Sequence, residues 1–456
     1  MIVGIVSGMV MQRNNANVAE ILIYPESEIK SANYIKEDST LKEVVLEKAD
    51  NGAYILSGIP TGGPYTVNID GKAYTDIYVG DVWLLGGQSN MEGVGELTNE
   101  DLKAKVEDHI RAFYMNDEWG TADHILMHDL WNAKDKVHRK LMGENAIPPV
   151  GPRVRCVGPG LFFAQSMYEF EQVPQGVICS AHGGTSMDQW SPAGKELGGD
   201  ESLYGAMYRR FVHNGSRVRG LFWYQGCSDA SPELSKVFEE KMINLVDSLR
   251  KDFVKDLPVI QVQISRVAGV GNVDIDSSWS KIREIQRTLH EKVDNLDTVY
   301  TIPYELSDAI HLSSNSQKVV GKNAAELMYN LIHGYDAKNS KPGIRLEGLK
   351  MKMNSFNPMC TDIVVTFSNL HGKLKADPIA MGFELLAGDN KIGDCIYNVT
   401  LLEDTAIVRV NLPLDEIIRN DMKIGYGYGI NPRCNITDES GFSIPAFGPI
   451  ELKDKE

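Results

Sequence analysis

The sequence predicts an α/β protein, with a central parallel sheet covered by helices on both faces and a β-rich region on either side. Three observations carry this reading. Apolar runs such as GVICSA and PVIQVQI fit strands buried on both faces. They alternate with amphipathic segments such as LSKVFEEKMINLVDSLRKDF, the succession expected of a parallel sheet wound with helices. The first 79 residues lack any long helical period, and the last stretch returns to strand-like runs. At 456 residues and 43% hydrophobic, the chain can bury more than one core. Since a domain holds roughly 100 to 200 residues, two or three domains are expected.

In chain order, residues 1–79 alternate short β-prone runs (GAYILSG, PYTVNID, KAYTDIYVG) with Gly, Pro and Asn turns. They read as a small β-sandwich-like domain. From Val82 the rhythm changes to strands followed by helical patterns, from VWLLGG through GLFFAQSMYEFEQ, GVICSAHGG, GLFWYQG, LPVIQVQI, SWSKIREIQRTLHEKV and TVYTIPYEL to KVVGKNAAELMYNLIHGY. Residues 80–337 are therefore assigned to the central domain. A linker, DAKNSKPG, leads into TDIVVTFSN, MGFELLAG, TAIVRVNL and MKIGYGYG, so residues 338–456 read as a second β-sandwich domain. No internal repeat beyond this succession and no low-complexity segment is present.

Charge and composition narrow the function. With 62 acidic against 46 basic residues and a net charge of −16, a nucleic acid or an anionic membrane surface is an unsuitable partner, and a neutral or sugar-like substrate fits better. No apolar run approaches the roughly 20 residues of a membrane span. The opening MIVGIVSGMVMQRNNA has no basic segment before its apolar stretch and reads as a first strand instead of a signal peptide. Six scattered cysteines without a C-x-x-C pair suggest reduced thiols, and a cytoplasmic location is expected.

In open parallel sheets, sites form at the carboxyl ends of the strands, and three polar clusters fall there. Gly87-Gln88-Ser89-Asn90 follows VWLLG, exposing a serine at a strand-to-helix turn beside backbone N–H groups that can stabilise an anion. Met91 stands where a G-x-S-x-G elbow would have its second glycine, and a plain Ser/Asn turn or helix cap has the same signature. Gly183-Gly184-Thr185-Ser186 follows GVICSAH, with Asp188 and Trp190 beyond it. Paired glycines let a backbone N–H approach a reacting oxygen, although an ordinary tight loop reads alike. Trp223-Tyr224-Gln225-Gly226 follows GLF, where Gln225 can point an amide into the same site and the aromatics can offer a sugar a flat face, or simply pack a strand end.

A serine needs a base. Position selects His311 among ten histidines, because Ser307-Asp308-Ala309-Ile310-His311 follows the strand-like TVYTIPYEL and precedes a helical pattern. Asp308, three residues earlier, is close enough for one short turn to aim its carboxylate at the imidazole Nδ1–H. A capped helix entry would show the same D-x-x-H spacing.

GDVWLLGGQSNM, GVICSAHGGTSMDQW, GLFWYQG and SDAIHL, in this order, resemble the blocks of the sialate O-acetylesterase family. That family belongs to the SGNH hydrolases, close to carbohydrate esterase family six. The resemblance implies a three-layer α/β/α, flavodoxin-like central domain flanked by β-sandwich-like domains. It implies Ser89 as nucleophile, His311 as general base and then acid, and Asp308 as the group orienting it. The oxyanion hole would combine the backbone N–H of Ser89, the backbone N–H of Gly184 and the Gln225 side chain, with Gln88, Trp190 and Tyr224 meeting the substrate. Attack of Ser89 on an acetyl ester would give an acetyl-serine that water hydrolyses, with no metal or organic cofactor required. Losing one oxyanion donor is expected to cost roughly 100- to 1000-fold in turnover. The implied partner is an acetylated carbohydrate, a sialic acid or related small saccharide, with acetylated xylooligosaccharides as the neighbouring alternative. From another class, a non-catalytic carbohydrate-binding protein with a decayed esterase domain remains as the rival.

Two departures from the family stand out. Cys227-Ser228-Asp229 follows WYQG where the family usually continues with Glu, which leaves Asp308 as the carboxylate for the histidine. Leu312 replaces the usual proline after His311. Cys227 reads as a buried small residue more readily than as a reactive thiol. Elsewhere, His124 and His128, beside Asp123 and Asp129, have an i, i+4 spacing that suits a metal on a helix, but without H-E-x-x-H a solvated helix face is expected. The glycines of VAGVGNVD do not form a dinucleotide motif. Arg153 and Arg155 suit either an acidic sugar or surface ion pairs.

Overall fold

A computed structural model of the chain describes residues 1–37, 39–143, 145–335 and 341–453. It is a mixed α/β protein whose residues form two compact units. The first comprises Met1–Gln225, Lys241–Ile260 and Ser313–Tyr329, and the second Gly226–Glu240, Gln261–Leu312 and Asn330–Glu456.

The first unit is organised by one long strand, Lys72–Gly87. Its early part pairs antiparallel with Gly62–Ile69 and, at Tyr78–Gly80, parallel with Val10–Gln12. Its later part pairs parallel with Gln175–Cys179 on one side and Gly220–Tyr224 on the other. The predicted boundary at residue 79 thus falls inside a continuous strand. The same strand belongs to the β-rich start of the chain and to the parallel sheet, and it runs buried from Ile77 to Gly87 with Asp81 as the charged residue inside it. Arg13 clamps the junction, donating from Nε and Nη2 to the buried Asp81 at 3.0 and 2.8 Å and from Nη2 to Glu171 at 2.7 Å. A separate antiparallel sheet of this unit orders Ile2–Val3, Val18–Pro25, Tyr54–Pro60 and Val45–Lys48.

Beyond Gln175–Cys179 the parallel sheet continues to Ile110–Phe113 and closes with the antiparallel edge strand Trp119–Thr121. Its core stacks Trp83 edge-on to Phe163 at 5.3 Å, and Phe163 against Phe222 at 5.1 Å. The helix Leu203–His213 carries Arg210, which is fully buried. Its guanidinium donates to the carbonyls of Cys179, Phe113 and Tyr114 at 2.8–2.9 Å, satisfying the carboxyl ends of two neighbouring strands, and to Asp117. Nothing in the local sequence marks this arginine as a strand cap.

In the second unit, two four-stranded antiparallel sheets form from the last third of the chain. One orders Arg345–Met353, Thr361–Ser368, Thr405–Val410 and Ile396–Leu402, and the other Asn390–Lys391, Phe383–Ala387, Met422–Tyr426 and Phe447–Glu451. The helix Val273–Thr288 is tied to this β region by buried polar side chains. Arg283 donates to the carbonyls of Gly427, Gly429 and Ser265, and Gln263 exchanges hydrogen bonds with Ala446 at 2.8 and 3.0 Å. The sequence places 261–312 with the central domain, yet these contacts join it to the terminal sheets. Most of the linker DAKNSKPG, including the predicted boundary at 337, lies outside the described residues.

Among the described residues no helix is long and apolar enough to cross a membrane, and no cluster of three His, Cys, Asp or Glu residues could hold a metal. The expectation for His124 and His128 is corrected. Residues 124–128 form turns, not a helix, and both imidazoles are buried instead of solvated.

Candidate active site

The parallel register decides where the serine turn stands. Leu85 pairs with Cys179 and Gly87 with Tyr224, so three strands end together and their next residues, Ser89, Ser180 to Gly184, and Gln225, leave the sheet at one end. Gly87 has φ +128°, and a Cβ there would stand 2.2 Å from the Tyr224 carbonyl oxygen, so only glycine fits. Gln88 donates its N–H to that same carbonyl at 2.8 Å, then opens a single helical turn, Ser89–Glu92. The turn is closed by Glu92 N–H to Gln88 O and Gly93 N–H to Ser89 O, both at 2.9 Å. Ser89 is half-buried between the enclosed Gln88 and Asn90, and Asn90 Oδ1 is held by Gln317 Nε2 at 3.0 Å.

The glycine loop is pinned to this turn. His182 N–H donates to Gly87 O at 3.0 Å, and a Cβ on Gly183 would lie 3.4 Å from the Ser89 Cβ. Gly183 N–H donates to Glu92 Oε2 at 2.6 Å. Gly184 is exposed, with φ +70° and open space where a Cβ would stand. Thr185 Oγ1 donates to His182 O at 2.7 Å and accepts the Trp190 indole N–H at 2.9 Å, while Gln225 Nε2 donates to Thr185 O at 3.0 Å. Ser89, Gly183 and Gly184, and Gln225 therefore share one rigid neighbourhood of the first unit.

Asp308 and His311 lie in the second unit. Asp308 Oδ1 accepts the N–H groups of Ile310 and His311, each at 2.8 Å, and Oδ2 is 2.8 Å from His311 Nδ1. These bonds hold the Asp308 carboxyl well below the usual carboxylate range against the opposing effect of partial burial. The carboxylate fixes the imidazole with Nδ1–H donated inward. Leu312, in place of the family's proline, is fully buried and forms an isolated bridge with Leu306.

The aromatic expectation needs correcting. Trp190 is 0% and Tyr224 1% exposed, so neither presents a flat face to a sugar; Trp190 instead packs edge-on to Trp223 at 5.1 Å. The Gln88 side chain is likewise buried. Arg153 meets neither of its two expectations cleanly: Nη1 donates to Ile125 O at 2.9 Å and Nη2 stands 3.8 Å from Glu92 Oε1. All six cysteines are free thiols, and burial pushes Cys227 up to about 12. Sequence reasoning passed over Glu92, although an acid three residues after the serine in SNME was its signal.

Residues 79–330, more than half of the chain, match the family described as carbohydrate esterase, sialic acid-specific acetylesterase. The chain belongs to this family. The chain is 24% identical to the sialate O-acetylesterases of Homo sapiens and Pongo abelii, over 285 and 284 residues. The aligned region is 54% of this chain and 51% and 50% of theirs, so the chain spans about half the length of the curated relatives it matches. Among solved structures, the chain resembles a carbohydrate acetylesterase from Xanthomonas citri, with a TM-score of 0.69 and 20% identity over 98% of each chain. That likeness establishes a shared fold.

Proposed function

We propose that the protein is a serine O-acetylesterase that removes acetyl groups from O-acetylated sugars, sialic acids or related small saccharides, through an acetyl-serine intermediate. The observation that carries this reading is the Asp308–His311 hydrogen bond at 2.8 Å. With Nδ1–H given to the carboxylate, Nε2 is the nitrogen that accepts a proton from Ser89 and returns it to the leaving sugar hydroxyl. Asp308 stays ionised and stabilises the imidazolium that forms. The tetrahedral oxyanion is met by the Ser89 and Gly184 N–H groups and by the Gln225 amide, which Thr185 holds in orientation. A three-layer SGNH-type catalytic domain over 80–337, with β-sandwich-like flanks at 1–79 and 338–456, is the layout we propose for it. The acetylated sugar is the only partner the reading requires.

Acetate release from p-nitrophenyl acetate by wild type and Ser89→Ala tests the reaction class. Wild type is expected to exceed the variant by at least ~10³-fold in kcat. Equal inactivity of both would leave a carbohydrate-binding protein instead. A panel of acetylated sialic acids, acetyl-xylooligosaccharides and simple acetylated monosaccharides then tests the substrate, and a preference for the xylooligosaccharides would sink the sialic acid assignment.

A further inference from the structure

Glu92 ends the same helical turn that begins with Ser89, and its side chain is mostly enclosed. Its Oε2 takes the Gly183 N–H at 2.6 Å, across 91 residues of chain. A Cβ added to Gly183 would fall 2.9 Å from that oxygen and 3.4 Å from the Ser89 Cβ, so the glycine is held in a slot between nucleophile and carboxyl. The bond also consumes the Gly183 N–H. Of the two glycines in the loop, Gly184 is then the one whose N–H is left for a reacting oxygen, and its surroundings are open. We infer that Glu92 is a positioning residue, whose carboxylate fixes the Gly183–Gly184 loop against the Ser89 turn and so sets the oxyanion donor at Gly184. This rests on the esterase reading above, and deepens it.

Among the described residues, Glu92 faces Arg153, a cation 3.8 Å from Oε1; Asp129, which opposes ionisation; and His128, which hydrogen-bonds the Glu92 backbone. His124, His128 and Cys156 share a small cavity with Glu92. Burial pushes His128 down to about 3 and the Cys156 thiol up to about 11, so both are neutral near pH 7. Burial pushes the Glu92 carboxyl up to about 7, against the pull of Arg153 and of the Gly183 N–H. The charge-assisted form of the loop bond is therefore present above pH 7 and lost below it. The Glu92 ionisation thus adds a bounded step near pH 7 to the wild-type profile, a fall of up to about 10-fold toward lower pH.

The test measures p-nitrophenyl acetate hydrolysis from pH 5 to 9 for wild type, Ser89→Ala, Glu92→Ala and Glu92→Gln. Loss of the carboxylate in Glu92→Ala should lower kcat at pH 8 by roughly 100-fold with KM within about 2-fold, the size expected when an oxyanion donor shifts by about 1 Å. Glu92→Gln keeps an oxygen for Gly183, so it should recover about 10-fold of that loss and lack the step near pH 7. Replacing a merely structural residue would not remove that step. Wild-type kcat in Glu92→Ala, or a step near pH 7 retained in Glu92→Gln, overturns the positioning role while leaving a Ser89-dependent esterase intact. No Ser89-dependent hydrolysis in wild type overturns both readings. Should Glu92→Ala fail to fold, the pH profile and kcat of the isosteric Glu92→Gln decide alone.

Discussion

The serine side and the histidine side of the proposed site are built in opposite ways. Ser89 owes its place to distant backbone: the Tyr224 carbonyl that excludes any side chain at Gly87, and the glycine loop pinned by Glu92. Asp308 and His311 owe theirs to a local turn, in which the Asp308 carboxylate takes the Ile310 and His311 N–H groups and meets His311 Nδ1. A nucleophile built from long-range packing fails when the fold is disturbed. An acid–base pair built from a local turn fails chemically while the fold stands.

The sharpest way to break this contrast is one substitution on each side. Gly87→Ala places a methyl group 2.2 Å from the Tyr224 oxygen in a left-handed conformation. It should cost more than ~3 kcal/mol and leave little soluble protein, read by thermal melting and expression yield. Asp308→Asn should do the reverse. The asparagine Oδ1 still accepts the two backbone N–H groups, but an amide N–H₂ now faces His311 Nδ1 and selects the tautomer that carries its proton on Nε2. Turnover should fall roughly 10³- to 10⁴-fold, with a melting loss well below that of Gly87→Ala. A melting loss at Asp308→Asn as large as that of Gly87→Ala would erase the distinction.

The same contrast explains what could be read from sequence. The D-x-x-H turn was legible because the bonds between the Asp308 carboxylate and the Ile310 and His311 groups lie within four residues, and VWLLGG because a strand buried on both faces keeps its apolar run unbroken. The support of the serine was not legible. Glu92 meets Gly183, and Arg210 caps strands that end near Cys179 and Phe113, across separations that no local pattern encodes. Within the second unit, the bonds from Arg283 to the carbonyls of Gly427 and Gly429 are hidden in the same way. Trp190 misled for a related reason: an indole beside a glycine loop looks like a sugar platform until its N–H is seen spent on Thr185. The domain rhythm was read at 79, but the strand Lys72–Gly87 runs straight through that point.

A smaller effect tests whether the serine side holds function at the expense of stability. The usual carboxylate value of 4.5 rises to about 7 for Glu92 because burial disfavours the charge. The sign follows from linkage: the folded state prefers the protonated acid, so the full stability is present below about 4.5 and declines as pH rises through 7. Glu92→Gln, neutral at every pH, should match wild type near pH 4 and exceed it by ~3 kcal/mol at pH 8.5, a gain of several degrees in Tm. Equal melting of the two proteins at both pH values would remove the ionised carboxylate from the Ser89 turn.

The smallest expected effect concerns Cys227, where the family usually has glutamate. With burial pushing it up to about 12, the thiol at pH 8 is ionised only to about one part in 10⁴, too little for a nucleophile or a charged partner of an imidazole. Cys227→Ser should change kcat by less than about 2-fold, and iodoacetamide should leave wild-type activity intact over an hour. Rapid inactivation that Cys227→Ser prevents would place a working group beside Gln225 and weaken the claim that a local turn suffices. If the thiol is inert, the carboxylate that orients His311 is that of Asp308, whose Oδ1 takes two backbone N–H groups and whose Oδ2 meets the imidazole.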